Sequence, residues 1–268
     1  MKKADFHNHS TVSDGSHTID EIVEMALKKG LDAIAITDHD TVSHLSKIPK
    51  RTDIYVAGGA EISAFDKRHG YKAHILAYRI EKPEVLEQAV KPTLEARDKN
   101  CRRQIAILQE HGYQFDFDAM KKADGIYIYK QHIMEYLVRT GQAEEMFGEF
   151  YQKIFKNKGI CDFDIEYPSP FAAVEAIKAA GGLAVLAHSG QQQNFALIPE
   201  LVECGLDGLE YSHPANSLED KKIIKDYAKR FGLFLTGGSD SHGDFENGSA
   251  KVGEYLSEES GIKAICGL

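Results

Sequence analysis

Short apolar runs alternate with stretches of helical spacing along most of the chain. "ADFHNH" at residues 4–9 reads as a first strand. "IDEIVEMALKKG", from Ile19, places Ile22, Val23, Ala26 and Leu27 on one helical face, with Gly30 as its stop. "LDAIAITDHD" follows as a buried strand ending in polar residues, and "DIYVAGGAEIS" and "YKAHILAYRI" are the next two strands. Further on, "FAAVEAIKAAGG", "LIPELVECG" and "LEDKKIIKDYAKRFG" read as helices, separated by the strands "LAVLAHSG" and "LDGLEYSHP"; "LFLTGGSDSHG" is the last strand. This alternation predicts a parallel α/β fold.

Residues 83–167 break the rhythm. The pattern there is mainly helical, with no buried strand. "PEVLEQAVKPTLEARDKNCRRQIAILQEHG" predicts one or two helices, with Pro92 either dividing them or starting the second. The expected organisation is an α/β domain built from residues 1–82 and 168–268, carrying a helical insertion over 83–167.

Composition narrows the function classes. The chain has 268 residues, enough for one large domain with an inserted subdomain, and its 43% hydrophobic content supports a core. Net charge is −9, which argues against a duplex nucleic-acid face. A phosphate substrate stays open, because bound cations reverse the local field of an acidic site. Cys101, Cys161, Cys204 and Cys266 are scattered, with no CxxC pair, which suits a reducing compartment. No export signal follows Lys2 and Lys3, and no apolar run could span a bilayer, so the expectation is a cytoplasmic protein without a membrane partner. In that setting "NHS" at Asn8 and "NGS" at Asn247 carry no weight as glycosylation sites.

The chemistry gathers at strand ends. Side chains two apart on a strand share a face, so His7 and His9 can converge on one ion while Asn8 points away. Asp38, His39 and Asp40 end the second strand. Glu61, His74, His188 and His213 lie in or near the ends of later strands, and Asp240 and His242 repeat the two-residue spacing. Catalytic groups collect at the carboxyl ends of strands in parallel α/β barrels. His17, His44, His69 and His111 read as surface or loop residues with no ligand role. Ionisable groups crowded into a dry site repel one another or lose hydration unless a cation compensates them, so the strand-end set predicts a metal centre. Imidazole and carboxylate without thiolate suit manganese, zinc or iron better than magnesium alone. The donors exceed the need of one ion, which predicts two or three divalent ions with a carboxylate such as Glu61 as a bridge.

"DFHNHSTVSDG", "AITDHDT", "GAEIS", "LAHSG" and "GGSDSHG", in this order, resemble the PHP (polymerase and histidinol phosphatase) family. The resemblance implies a distorted seven-stranded α/β barrel with two or three metals and phosphoesterase activity. It implies that His7, His9, Glu61 and Asp240 bind one ion, that Glu61 bridges to a second held by His74 and His188, and that Asp14, His39 and His242 hold a third. With the insertion and "LEYSHP", the chain looks like the standalone PHP phosphoesterases, which act on nucleoside 3′,5′-bisphosphates or, as 5′→3′ exonucleases, on short RNA ends. Hydrolysis would proceed by a metal-bound hydroxide. The Arg-Pro-His element of that subfamily corresponds here to Lys130, Gln131 and His132 in "YKQHIM". Lysine meets a phosphate as a point charge and lacks the guanidinium fork. Lys130 and His132 are therefore the expected substrate contacts, against a solvated helix start; Arg97, foremost, and Arg102 and Arg103 are further phosphate candidates, at least two of which read as a solvated basic helix face. His213 would position substrate or protonate the leaving oxygen, or hold an outer hydrogen bond fixed by Pro214.

Rival readings are a histidinol-phosphate phosphatase, a metal amidohydrolase and a metal-binding regulatory module. An amidohydrolase would want a bridging lysine, and no lysine stands at a suitable strand end. No GxxxxGK[ST] loop, dinucleotide fingerprint or GxSxG elbow occurs.

Overall fold

The protein is described by a computed structural model covering residues 2–120, 127–245 and 250–267; Asn247 lies outside the described residues. Seven strands pair in sequence order: β1 (Ala4–Asp5), β2 (Ala33–Ile36), β3 (Tyr55–Asp66), β4 (Tyr71–Tyr78), β5 (Leu183–Leu186), β6 (Gly208–Ser212) and β7 (Phe234–Gly237). The two edges meet. Phe6 N–H donates to Gly237 O at 3.0 Å, Asp240 N–H to His7 O at 2.8 Å and His9 N–H to Ser241 O at 3.0 Å. The result is a nearly closed α/β barrel. Asp5 staples the seam, accepting hydrogen bonds from the Ser239 N–H and hydroxyl, the Gly253 N–H and the Asn8 amide. Gly238 permits the close approach, since a Cβ there would fall 2.2 Å from Cβ of His7.

The sheet is not wholly parallel. β4 runs antiparallel to both β3 and β5, while every other pair is parallel. Strand–helix alternation could not show this, because β3 and β4 follow one another with no helix between them. Only residues 67–70 connect them, too few for a parallel crossover, and Gly70 turns at φ +75°. β1 is also shorter than the apolar pattern predicts. Beyond Asp5 the chain continues as single contacts to the end of β7 and the segment that follows it, including the Asn8–Ser241 bridge.

The helices are α1 (Ile19–Lys28), α2 (Pro83–Glu110), α3 (Lys130–Arg139), α4 (Glu149–Phe155), α5 (Pro170–Ala179), α6 (Ser189–Gln192), α7 (Ile198–Glu203), α8 (Leu218–Phe231) and α9 (Glu259–Cys266). Thr18 and Glu21 form a reciprocal capping box that starts α1. Pro92 neither divides nor starts a helix, since α2 continues through it for 28 residues. Proline removes one helix hydrogen bond, and burial of Leu86, Val90 and Leu94 around it holds the helix together.

α2 joins two apolar clusters. Leu86 and Val90 pack into the barrel core with Ile75, Val174 and Leu186, whereas Cys101, Ile105 and Leu108 pack with Ile128, Ile133, Leu137 and Phe155. The second cluster sits above the strand ends and is joined to the barrel by polar contacts. Arg97 pairs with Asp40, the Tyr129 hydroxyl donates to His39 O at 2.7 Å, and the Gln131 amide donates to Asp14 at 2.7 Å. No helix among the described residues is long and apolar enough to cross a membrane.

Candidate metal centre

Glu61 lies at the middle of the cluster, 1% exposed on β3. Its Oε2 is 3.2 Å from both His7 Nε2 and His9 Nε2 and 3.3 Å from His39 Nδ1. Its Oε1 is 2.8 Å from His74 Nδ1 and from His188 Nε2. The carboxylate thus faces different imidazoles with its two oxygens, the geometry a bridging ligand needs. Asp240 Oδ1 stands 3.0 Å from His9 Nε2 and 3.4 Å from His7 Nε2. Asp14 faces His9, His39 and His242 at 3.6–3.9 Å.

Among the described residues donor atoms converge in four overlapping groups: His7, His9, Glu61 and Asp240; His39, Glu61 and His74; His9, Asp14, His39 and His242; and His7, Glu210 and His213. His188 reaches the same Glu61 oxygen as His74. All nine candidate ligands therefore share one site.

The unpaired atoms test whether these residues suit metal ions. His7 Nε2, His9 Nδ1 and Nε2, His39 Nδ1, Glu61 Oε2, His188 Nδ1 and Asp240 Oδ1 are buried without a hydrogen-bond partner among the described residues. Folded proteins satisfy nearly all buried polar atoms, so orphaned nitrogen and oxygen atoms crowded together fit coordination of divalent cations. Two histidines are also held in a useful tautomer. Nδ1 of His242 bonds Asp240 O at 3.0 Å, and Nδ1 of His7 bonds Glu210 Oε1 at 2.9 Å, leaving each Nε2 facing inward. Asp40, His188 and Asp240 adopt positive φ of +51°, +25° and +51°, a strained backbone for residues other than glycine.

Charge and burial oppose each other here. Burial alone would lower the His9 pKa, but the Asp240 and Glu61 carboxylates facing it at 3.0 and 3.2 Å overturn it and raise it to about 10. His7 is likewise raised, against its burial, by Asp240, Glu210 and Glu61. For His39 burial wins over Glu61 and Asp14, and its pKa falls to about 4. Burial would raise the Glu61 and Asp240 carboxyls, yet the surrounding imidazoles hold both well below their usual range.

The loop after β1 is shaped by Asp38, which accepts from the Ser10 N–H and hydroxyl at 2.8 and 2.7 Å and from the Ser13 hydroxyl at 2.7 Å. A Cβ on Gly15 would fall 2.2 Å from His9 O, so the loop closes tightly enough to bring Asp14 back to His9. His44 differs from its sequence reading. It is fully buried, with Nδ1 3.6 Å from Asp38 Oδ2 and Nε2 3.3 Å from Ile36 O, because the turn after "TDHDT" folds back under β2. His69 and His111 are exposed or half-exposed, paired with Asp66 and Ile107 O, and His17 faces Asp244. Glu210 on β6 was not singled out from sequence. Its signal was a carboxylate inside the apolar strand "LDGLEYSHP".

The candidate substrate contacts lie at the roof. Lys130, half-buried at the start of α3, has its Nζ 5.9 Å from the Phe155 ring centre, and burial lowers its pKa. A cavity of about 140 Å³ is lined by Lys130, Arg97, Asn100, Gln131, Tyr151 and Tyr167. Arg97 gives part of its guanidinium to Asp40 and Ser63, and its Nε has no partner among the described residues. His132 is buried, its Nδ1 accepting the Tyr129 N–H at 3.1 Å. His213 is buried, with Nδ1 accepting the Ala215 N–H at 3.0 Å and Nε2 3.3 Å from Asp240 Oδ2. Arg102 pairs with Asp98, and Arg103 lies over Phe163. A larger groove of about 840 Å³, lined by Leu45, Ile48, Tyr55, Arg79 and Ile265 among others, touches none of the candidate ligands.

Residues 5–245 match the PHP domain family. The sequence is 40% identical over 247 residues to the phosphoribosyl 1,2-cyclic phosphate 1,2-diphosphodiesterase of Eggerthella lenta, covering 90% of this chain and 94% of that one. It is 31% identical over 260 residues to the 3′,5′-nucleoside bisphosphate phosphatase of Chromobacterium violaceum, covering 92% and 90%. The fold is similar to a crystal structure from Bifidobacterium adolescentis whose description proposes a metal-dependent phosphoesterase, with TM-score 0.85, 28% identity and coverage of 98% and 94%.

Proposed function

Because the chain belongs to the PHP domain family and is a metal-dependent phosphoesterase, we propose that its substrate is a ribose carrying two phosphate groups, with phosphoribosyl 1,2-cyclic phosphate foremost. The observation that carries this choice is the 40% identity to the cyclic-phosphate diphosphodiesterase across 90% of the chain. A nucleoside 3′,5′-bisphosphate or a short RNA 5′ end is the second reading, supported by the relatives that bear those activities in their names. These substrates share a ribose esterified to phosphate. Lys130 and Gln131 depart from the Arg-Pro pair of the nucleotide-directed subfamily, which favours the first reading.

His7, His9, Glu61 and Asp240 would hold one divalent ion, Glu61, His74 and His188 a second, and Asp14, His39 and His242 a third. The donor set suits manganese, zinc or iron. Such ions, when bound, supply Lewis acidity towards phosphoryl oxygens and a water that ionises near neutral pH. The remaining roles belong to side chains. Lys130 and Arg97 offer positive charge to phosphate oxygens at the roof. The Ala215 N–H fixes the His213 tautomer that carries its proton on Nε2, the atom available to a departing alkoxide. His132 orders the first turn of α3 and so places Lys130. The four free cysteines are compatible with a reducing, cytoplasmic setting.

The test is product analysis by 31P NMR with manganese-loaded protein, before and after chelation, because opening a cyclic diester or removing a nucleotide from an RNA end frees no inorganic phosphate. The panel holds phosphoribosyl 1,2-cyclic phosphate, adenosine 3′,5′-bisphosphate, a 5′-phosphorylated RNA oligomer and histidinol phosphate. Chelator-sensitive hydrolysis of the first is expected. Hydrolysis of histidinol phosphate alone, or of none with metal bound, would overturn the proposal.

A further inference from the structure

Glu210 is fully buried, at 0% side-chain exposure. Its two oxygens reach different parts of the metal centre. Oε1 lies 2.9 Å from His7 Nδ1, and Oε2 accepts the His188 N–H at 2.9 Å. His7 then turns Nε2 towards Glu61 and Asp240. His188, at φ +25°, turns Nε2 towards the other Glu61 oxygen. We infer that Glu210 is the positioning residue of the centre: one carboxylate sets the imidazoles on both sides of Glu61. The inference rests on His7 and His188 being ligands, as proposed above.

The His188 N–H can only donate, and His7 Nδ1 must donate if Nε2 is to offer its lone pair to an ion. Glu210 therefore meets two donors, and a carboxylate accepts from both. A glutamine of the same size carries one accepting oxygen and one NH2. Turned one way, its NH2 opposes the His188 N–H, donor against donor, beside an already strained backbone. Turned the other way, its NH2 donates to His7 Nδ1 and drives the proton onto Nε2, where it blocks ligation. Shape alone cannot rescue the substitution. Outer hydrogen-bond partners of metal-bound histidines typically contribute about 10–100-fold in metal affinity.

The experiment is equilibrium binding of Mn2+ to the full chain and to Glu210→Gln, alongside thermal unfolding of both in metal-free buffer. A 10–100-fold loss of Mn2+ affinity in a folded variant is expected. An affinity within twofold of the parent, with or without a change in unfolding temperature, would overturn the inference. A second measurement needs no variant. In the zinc-loaded wild-type protein, 15N spectra of the histidines should show His7 protonated at Nδ1 and metal-bound through Nε2. Ligation through Nδ1 would overturn the inference while leaving His7 a ligand. No zinc shift at His7 would overturn the ligand reading itself.

Discussion

Gln131 donates its side-chain amide to Asp14 Oδ2 across 2.7 Å, joining the first turn of α3 to the loop that follows β1. The contact puts a roof residue in touch with a candidate ligand. The other Asp14 oxygen faces His9 and His242 and accepts from Ser13. Gln131 therefore fixes which way the carboxylate points. Gln131→Ala should weaken the ion held by Asp14, His39 and His242 by about tenfold and leave the other positions occupied. Activity at limiting Mn2+ would fall and excess Mn2+ would restore it. Unchanged stoichiometry and unchanged Mn2+ dependence would sink the idea.

Much of this was legible in the sequence because the relevant signals are local. A histidine pair two apart, or polar residues ending an apolar run, fixes a strand, its face and its end. The α/β alternation and the set of donors at strand ends followed from that, whereas the seven-stranded barrel and the place of Asp14 among the nine donors were implied by the resemblance to the PHP family. What was not legible depends on contacts distant in the chain. The antiparallel setting of β4 arises from a four-residue connection that looks like any loop. Glu210 reads as an ordinary strand residue until β1 closes against β7 and His7 is brought beside it. His44 looks exposed because its stretch is polar, yet the turn folds under β2 and meets Asp38. Pro92 looks like a break, and only the packing of Leu86, Val90 and Leu94 shows why α2 survives it.

The pairing of Arg97 with Asp40 ties α2 to the turn carrying His39. Asp40 is fully buried, and Arg97 is 20% exposed. Asp40 also accepts the Ser63 N–H at 2.9 Å. Arg97→Met would leave the carboxylate buried beside an apolar chain, and breaking such a pair typically costs about 3–5 kcal/mol. Thermal unfolding should show a clearly lower midpoint. Asp40→Asn with Arg97→Met should recover part of the loss, because the unpaired charge is gone. No recovery in the double variant would mean that packing, rather than charge, dominates at Arg97.

His9→Ala and Asp240→Ala should each abolish hydrolysis while leaving a folded barrel. Each removes a donor atom that is orphaned in the buried cluster and contributes nothing to the apolar core. A loss on the order of 10³-fold, equivalent to about 4 kcal/mol of transition-state stabilisation, is expected. Circular dichroism would check the fold and elemental analysis the metal content. Most activity retained in either variant would remove that residue from the ligand set.

Protons and divalent ions are competing counter-charges for the same carboxylates. Without ions, Glu61 and Asp240 keep the His9 pKa at about 10, so His9 is protonated at neutral pH and can bind no cation. His7 is raised in the same direction. His39, at about 4, is already neutral. An ion entering at pH 7 must therefore expel protons from His7 and His9 but none from His39. Each proton released makes apparent metal affinity rise by about tenfold per pH unit, as long as pH stays below the raised pKa. Between pH 6 and pH 9 the Mn2+ affinity should climb steeply, and the trend should flatten as pH passes about 10. Calorimetry in two buffers of different ionisation enthalpy measures the protons directly. One to two released per first ion bound fits this competition. None released would mean that the imidazoles are neutral before the ion arrives and that the carboxylates hold their charge without help.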